Sequence, residues 1–434
     1  MEKDRSGFGI LRKSTAEHKE GKSETPRGRG RSLNGPSSRF INALSVTWAI
    51  NTFAYSIVFP FLPIYLHSIR GIPLELVGLV FPVMGIAAII GSPLAGFTAD
   101  RLDRKQLLIG APFARGITFI GLAVMAAVNA PFWTFVVLLF INSFLGVFFQ
   151  NASDALITDI VPPELRVHAF STVRVGLNIG WMSGPAIGAF LARTPFSLLF
   201  FITAVFCFAA SAIALRSTRG IVIRKRRNDM QHVSRSFSAA IMRDRNMLLL
   251  LALSFVLFLT VSQFVSTLSL YATAVKHLDK TPLGLLYTIN GAMVILFLVP
   301  INRLFRQVNM YLRIGIGAFL YLIAYIGFGL SGMWMHFAAA MMLMTVGEML
   351  SVSCIVTAAS YCAPDGMVGR YMGTMNLVRN VGYAVGPYIG SLLLAHYTGK
   401  PLTLWIILGS FAFIAGLGFL VFSQHAPSAQ TRRM

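Results

Sequence analysis

Charge is scarce in this sequence, and acid is scarcer still. Only 12% of the 434 residues are charged, and 16 Asp and Glu stand against 37 Lys and Arg, a formal net charge of +21. A soluble domain carries roughly 25% charged residues, so this chain is not built to meet water on every side. Cysteine is nearly absent: Cys207, Cys354 and Cys362 lie in or beside apolar segments with no metal or redox spacing, and read as small packing residues. No Gly-Lys-Ser/Thr phosphate-binding loop occurs, so ATP is not the evident energy source. His67, His168, His277, His336 and His396 form no paired ligand motif, and no nucleophile cluster appears. Metal, cofactor and enzymatic catalysis are therefore not expected. The first 39 residues lack an apolar region, which excludes a secretory signal and leaves a disordered basic tail over 1–40. Contact of that tail with anionic lipid heads is a further option.

What the chain has in quantity is apolar surface: 55% hydrophobic residues, with 35 Phe and 38 Gly. Runs of about 20 apolar residues, enough to cross a core roughly 30 Å thick, recur along it. Twelve spans are predicted, at roughly 41–66, 74–98, 106–128, 133–158, 169–192, 196–215, 247–274, 283–301, 311–330, 334–361, 370–396 and 402–423. A charged link over 216–246, with Arg224, Lys225, Arg226 and Arg227, separates a bundle at 41–215 from one at 247–423, before a tail at 424–434.

Basic residues set the orientation. With the N-terminus in the cytoplasm, 29 of the 37 Lys and Arg fall in the tails and cytoplasmic links. Five fall in the opposite loops (Arg70, Arg193, Lys276, Lys280, Lys400), and Arg115, Arg174 and Arg379 lie within spans. Both termini are thus expected in the cytoplasm. The bias explains the positive charge without nucleic acid.

The halves repeat. At an offset of 202 residues, Asp100-Arg101-Leu102 maps onto Asn302-Arg303-Leu304, Gly180 onto Gly382, and Gly184-Pro185-Ala186-Ile187-Gly188 onto Gly386-Pro387-Tyr388-Ile389-Gly390. Repeated halves with a site between them are a transporter design, in which one bundle rocks against the other.

The link between spans two and three reads Gly96-Phe97-Thr98-Ala99-Asp100-Arg101-Leu102-Asp103-Arg104-Lys105. It resembles the signature of the major facilitator superfamily, a glycine followed by Asp-Arg and a basic cluster, and the resemblance covers about residues 40–423. It implies a gate: Gly96 allows close helix contact, and Asp100 can cap a helix end and pair with Arg101 or Arg104 in bonds that break as the halves rock. Asp103 stands where the family often has glycine, and Asn302 replaces the acid in the second copy, so that network should be weaker. Asp159, before Pro162-Pro163-Glu164-Leu165-Arg166, is expected to join the gate. A loop serving orientation alone is the simpler alternative.

Span five, with Gly176, Gly180, Gly184, Pro185 and Gly188, looks like the motif associated with proton-coupled exporters of that superfamily. Glycines four apart make one smooth helix face, and the proline can bend it. Since span eleven carries a copy, plain helix packing is the competing explanation.

Five charges lie a turn or more inside the spans: Arg115, Asp154, Arg174, Glu348 and Arg379. Each costs roughly 3 kcal/mol near the membrane centre and needs a cavity or a partner. Glu348 is midway along span ten, which lines the central cavity in the superfamily fold; it is a candidate proton-coupling or cationic-substrate group, or else a structural acid bonded to Arg379 or a helix end. Asp154 shares a face with Asn142, Gly146 and Gln150, and lines either the pathway or the gate. Arg174 is expected to pair with Asp154 or Asp159, and Arg115 to snorkel. Asn51, Tyr55 and Phe59 on span one, and Gln263, Thr267 and Tyr271 on span seven, would offer a cavity stacking surface with a few hydrogen bonds, suited to an amphipathic or aromatic solute.

The expectation is therefore an all-α membrane protein with twelve helices in two pseudo-symmetric six-helix bundles, resembling the twelve-helix drug:proton antiporter group. It is a secondary active transporter of the plasma (inner) membrane, acting as a monomer in the lipid bilayer, with protons as coupling ion and efflux of drug-like or amphipathic small molecules as its task. The alternative is an uptake permease or facilitator for a small metabolite, or a lipid-moving member of the same fold.

Overall fold

The computed structural model describes residues 36–101, 103–162, 165–191, 194–219, 244–364 and 367–425. The basic tail lies outside the described residues except at its inner edge, as do the end of the chain beyond residue 425 and the centre of the 216–246 link. Everything described is helix or short connection. The helices are α1 (Pro36–Val58), α2 (Leu74–Arg101), α3 (Arg104–Ala127), α4 (Phe132–Ile160), α5 (Arg166–Leu191), α6 (Phe196–Thr218), α7 (Arg245–Val261), α8 (Lys280–Leu304), α9 (Met310–Leu330), α10 (Trp334–Cys362), α11 (Val368–Tyr397) and α12 (Pro401–His425). Ten are long and apolar enough to cross a membrane. The other two, α5 and α11, have 26 and 30 residues and carry the repeated glycine motif with several polar side chains.

Helices α1 and α7 are interrupted. Pro60 has no N–H to give, so α1 stops at Val58 and resumes at Leu62–Ile64 and a π turn, Tyr65–Ile69. In α7 a 3₁₀ turn, Ser262–Phe264, precedes Thr267–Leu270 and another π turn, Tyr271–Val275. Both chains then turn on a residue with positive φ, Gly71 and His277. Tyr65 with Tyr271, and Gly71 with His277, are 206 residues apart. The repeat thus has two offsets: 206 through the first span and a half, and 202 from the α2–α3 link onward. The four-residue difference is about one helical turn, and α8 is shorter than α2, 25 residues against 28.

Inside each bundle the glycine motif seats one helix on another. A Cβ at Gly180, Gly184 or Gly188 of α5 would meet α1 at Ala49, Ser56 and Ile57. In the second bundle, Gly382, Gly386 and Gly390 of α11 lie against Phe258, Ser262 and Gln263 of the α7 span. Ser56 and Ser262 are again 206 residues apart, and Ser56 Oγ donates to Gly180 O at 2.9 Å.

Between the bundles, α2 packs on α11 and α5 on α8. Both seams lie in the half of the molecule away from the Arg101–Arg104 link. Gly78 meets Ser391 and Gly85 meets Ala384; Gly284 meets Ala189 and Gly291 meets Met182. The second segments of the α1 and α7 spans also touch at that end. At the basic end the half of each helix beyond the seams stands free: Gln150, Asp154, Arg174 and Asn380 are all exposed. The molecule is closed at one end and open at the basic one.

Candidate functional site

A cavity of about 350 Å³ lies between the bundles, inward of the seams. The first bundle supplies most of its wall, from α1 to α5, and α11 adds Asn380, Tyr383 and Ala384. The apolar part is aromatic. Tyr55 and Phe59 stack at 4.6 Å between ring centres, and Trp181 stands edge-on to both at 6.1 and 6.3 Å. Asn51, Tyr55 and Phe59 share this wall because they are one turn apart on α1.

The polar part centres on Arg115. Its side chain does not snorkel. The residue is only 6% exposed and lies inside the first bundle, lining the cavity. Nη1 donates to Asn51 Oδ1 at 2.9 Å; Nε and Nη2 donate to Asn142 Oδ1 at 3.3 and 3.2 Å. Asn142 Nδ2 in turn donates to Thr118 Oγ1 at 2.7 Å, which fixes the amide's orientation. The guanidinium carbon is 5.7 Å from the centre of the Tyr55 ring. Gly146 packs beside it: a Cβ there would stand 3.8 Å from that carbon, in ordinary contact. Every one of these acceptors is neutral. Snorkelling was the natural expectation for a lone arginine in an apolar span. Three polar residues on α1, α3 and α4 outweigh it by satisfying the group in place.

Glu348 sits within the second bundle, off the cavity wall. Its Oε2 accepts a 3.0 Å hydrogen bond from Asn290 Nδ2 of α8, and the same amide donates to Thr345 Oγ1 at 3.0 Å. Its partner is thus an amide, and neither Arg379 nor a helix end. Tyr383, on the cavity wall, is within electrostatic reach of both Glu348 and Arg379. Under the 202 offset, Glu348 is equivalent to Gly146: one bundle holds an acid where the other has a glycine beside Arg115.

The remaining candidates divide. Arg174, expected to pair with Asp154 or Asp159, reaches neither among the described residues; the charge near it is Arg379, across the opening between α5 and α11. Asp154 lines a second hollow of about 400 Å³ at the basic end, with Gly96, Arg104, Asn151, Thr158 and Phe170. Gln263 and Tyr271, expected on a cavity wall, are fully buried in the second bundle. Gln263 Nε2 donates to Leu259 O and Gly386 O, both at 2.8 Å, and its Oε1 accepts from Thr267. It ties the break in α7 to α11. Tyr271 donates to Phe328 O at 3.3 Å.

At the basic end, Arg104 Nη1 lies 2.6 Å from Asp159 Oδ2, joining the start of α3 to the end of α4 inside one bundle. Asp103 is the N-cap of α3, accepting from the Lys105 N–H at 3.0 Å. Capping was expected of Asp100, which lies instead within the last turn of α2 with Arg101. The side chains of Asp100 and Arg101 lie outside the described residues. In the second copy, Asn302 accepts a hydrogen bond from Arg313 of α9, a neutral acceptor in place of a carboxylate.

Comparison with known proteins agrees with this architecture. The family model for the Major Facilitator Superfamily matches residues 44–387. A Na(+), Li(+), K(+)/H(+) antiporter of Planococcus maritimus is 25% identical over 396 residues, which cover 85% of this chain and 92% of the relative. The multidrug resistance protein MdtG of Salmonella typhimurium is 25% identical over 366 residues, covering 82% and 89%. Among solved structures, a bacterial homolog to the human lysosomal transporter Spinster, in an inward-facing and unoccupied conformation, superposes with a TM-score of 0.73 at 13% identity, covering 91% of this chain and 98% of that one.

Proposed function

The chain belongs to the major facilitator superfamily, which makes it a multi-pass membrane transporter and not an enzyme, and we propose that it exports amphipathic small molecules in exchange for protons by alternating access. The observation that carries this reading is the central cavity, closed at one end by small-residue seams and reachable from the other. With the basic end in the cytoplasm, as the distribution of Lys and Arg directs, the state described faces inward. Rocking would part the α2–α11 and α5–α8 seams and bring the basic halves together, where Asp154, Arg174 and Arg379 now stand apart.

The aromatic wall of Tyr55, Phe59 and Trp181 suits a flat apolar body. Glu348 is the proton site in this reading. It is the membrane-centre acid, its hydrogen bond from Asn290 leaves its other oxygen for a proton, and Tyr383 of the cavity wall is within its electrostatic reach. The antiporter and the multidrug protein among its relatives support export and proton exchange. The plasma (inner) membrane and a monomeric working unit complete the proposal.

The test uses proteoliposomes with a trapped pH dye and a panel of amphipathic compounds. Compound-dependent proton movement is expected for the wild type, and for Glu348→Gln, binding without proton movement. Full gradient-driven transport by Glu348→Gln would remove Glu348 from coupling; compound flux indifferent to the pH gradient in the wild type would remove proton exchange altogether.

A further inference from the structure

We infer that the first bundle carries a subsite for an organic anion with an aromatic body, and that Arg115 is its counter-charge. This rests on the central cavity being the substrate's path, as proposed above.

Arg115 is a buried guanidinium that lines this cavity, and among the described residues no carboxylate pairs with it. Its contacts to Asn51 and Asn142 occupy three of its five N–H groups, one of them on each of Nη1, Nη2 and Nε. One N–H on each terminal nitrogen is left, a charged donor that a carboxylate or phosphate oxygen can accept from. Neutral amides orient the group without cancelling its charge, so the cavity keeps a net positive pole.

The opposite sign is absent from the wall. Glu348 is held by Asn290 and does not line the cavity, while the equivalent first-bundle position, on the cavity wall, is the uncharged Gly146. At the basic end two further cations, Arg174 and Arg379, outnumber one acid, Asp154, so the way in keeps a net positive charge. Beside Arg115, Tyr55 offers its face, with Phe59 stacked on it and Trp181 edge-on. Cationic amphiphiles would meet repulsion on this route, whereas an aromatic carboxylate finds a charge partner and a stacking surface together.

The experiment measures equilibrium binding to the full chain in lipid nanodiscs, with no ion gradient, using 1-naphthoate, its neutral analogue 1-naphthamide and the cation tetraphenylphosphonium as probes. The wild type is expected to bind naphthoate about tenfold more tightly than the amide, as a charge-assisted hydrogen bond predicts, and to bind the cation weakest. Arg115→Gln should abolish the preference for the anion. Should Arg115→Gln fail to fold, Asn51→Asp serves in its place: it is isosteric, sets a carboxylate beside Nη1, and should displace naphthoate, so that the amide becomes the tighter of the two. Equal affinity for naphthoate and naphthamide, or naphthoate binding unaffected by either variant, would overturn the inference. Since no gradient is applied, failure of proton exchange leaves this result untouched, and an absent anion preference leaves proton exchange standing.

Discussion

Met182 of α5 and Ala384 of α11 are equivalent positions in the two halves, and each is met by a glycine of the opposite bundle, Gly291 and Gly85. The closed end is thus built twice from one plan. In Gly85→Leu or Gly291→Leu the added side chain has no space, and the seam cannot shut. Transport should fall to background. A cysteine introduced by Phe59→Cys, with Cys207, Cys354 and Cys362 replaced by serine, should become several times more reactive toward an impermeant maleimide added at the closed end. Unchanged labelling together with normal transport would mean that these seams do not gate.

The glycines of α5 face a different neighbour, α1 of their own bundle, and their substitution should be felt as stability. Gly184→Val drives a branched side chain into Ser56 and the α1 backbone. Overpacking of this kind costs about 1–3 kcal/mol. A lower melting temperature and a smaller folded yield are expected in detergent, with proton stoichiometry unaltered in the fraction that folds. A changed stoichiometry at normal stability would assign the motif to coupling.

Gln263→Leu separates structure from substrate contact. The amide joins Leu259, Thr267 and Gly386 across the break in α7, and losing such buried bonds costs about 1–3 kcal/mol. Thermal unfolding should report that loss while probe affinity in nanodiscs stays within experimental error. A large affinity change at unchanged stability would return Gln263 to the substrate path.

The Arg104–Asp159 pair is partly open to solvent, so its contribution should be small. A double-mutant cycle over Arg104→Ala and Asp159→Ala, read by thermal stability, should give a coupling of roughly 0.2–1 kcal/mol. A transport defect in either single variant much larger than this stability change would show that the pair acts in the conformational cycle.

Helix positions were legible in the sequence; facing was not. Apolar runs located the twelve helices within a few residues, including α5 and α11, which are not among the ten that are long and apolar enough to cross a membrane by composition. Periodicity grouped Asn51 with Tyr55, which share the cavity wall, but also Gln263 with Tyr271, which the break in α7 leaves against different neighbours, α11 and α9. It carries no information on whether such a face looks across to the other bundle or into its own, and the two groups went opposite ways. Arg115 was misjudged for a related reason: its acceptors, Asn51 and Asn142, come from α1 and α4, and only tertiary packing brings them to α3. The break in α1 has Pro60 to announce it, whereas that in α7 has no proline and rests on side-chain bonds. The second repeat offset was present in the sequence, in Ser56 with Ser262, Tyr65 with Tyr271, Gly78 with Gly284 and Gly85 with Gly291, but these matches are isolated residues and form no run.

The two seams of the closed end have unequal thermal character. Gly78 and Gly85 meet Ser391 and Ala384, residues with almost no rotamers to freeze, while Gly291 meets Met182, a long flexible side chain. Ordering a methionine costs up to about 2 kcal/mol of side-chain entropy, and ordering glycine or alanine costs about none. On warming, the α5–α8 contact should therefore loosen before α2–α11. The balance between the two transport states would then shift with temperature through one methionine.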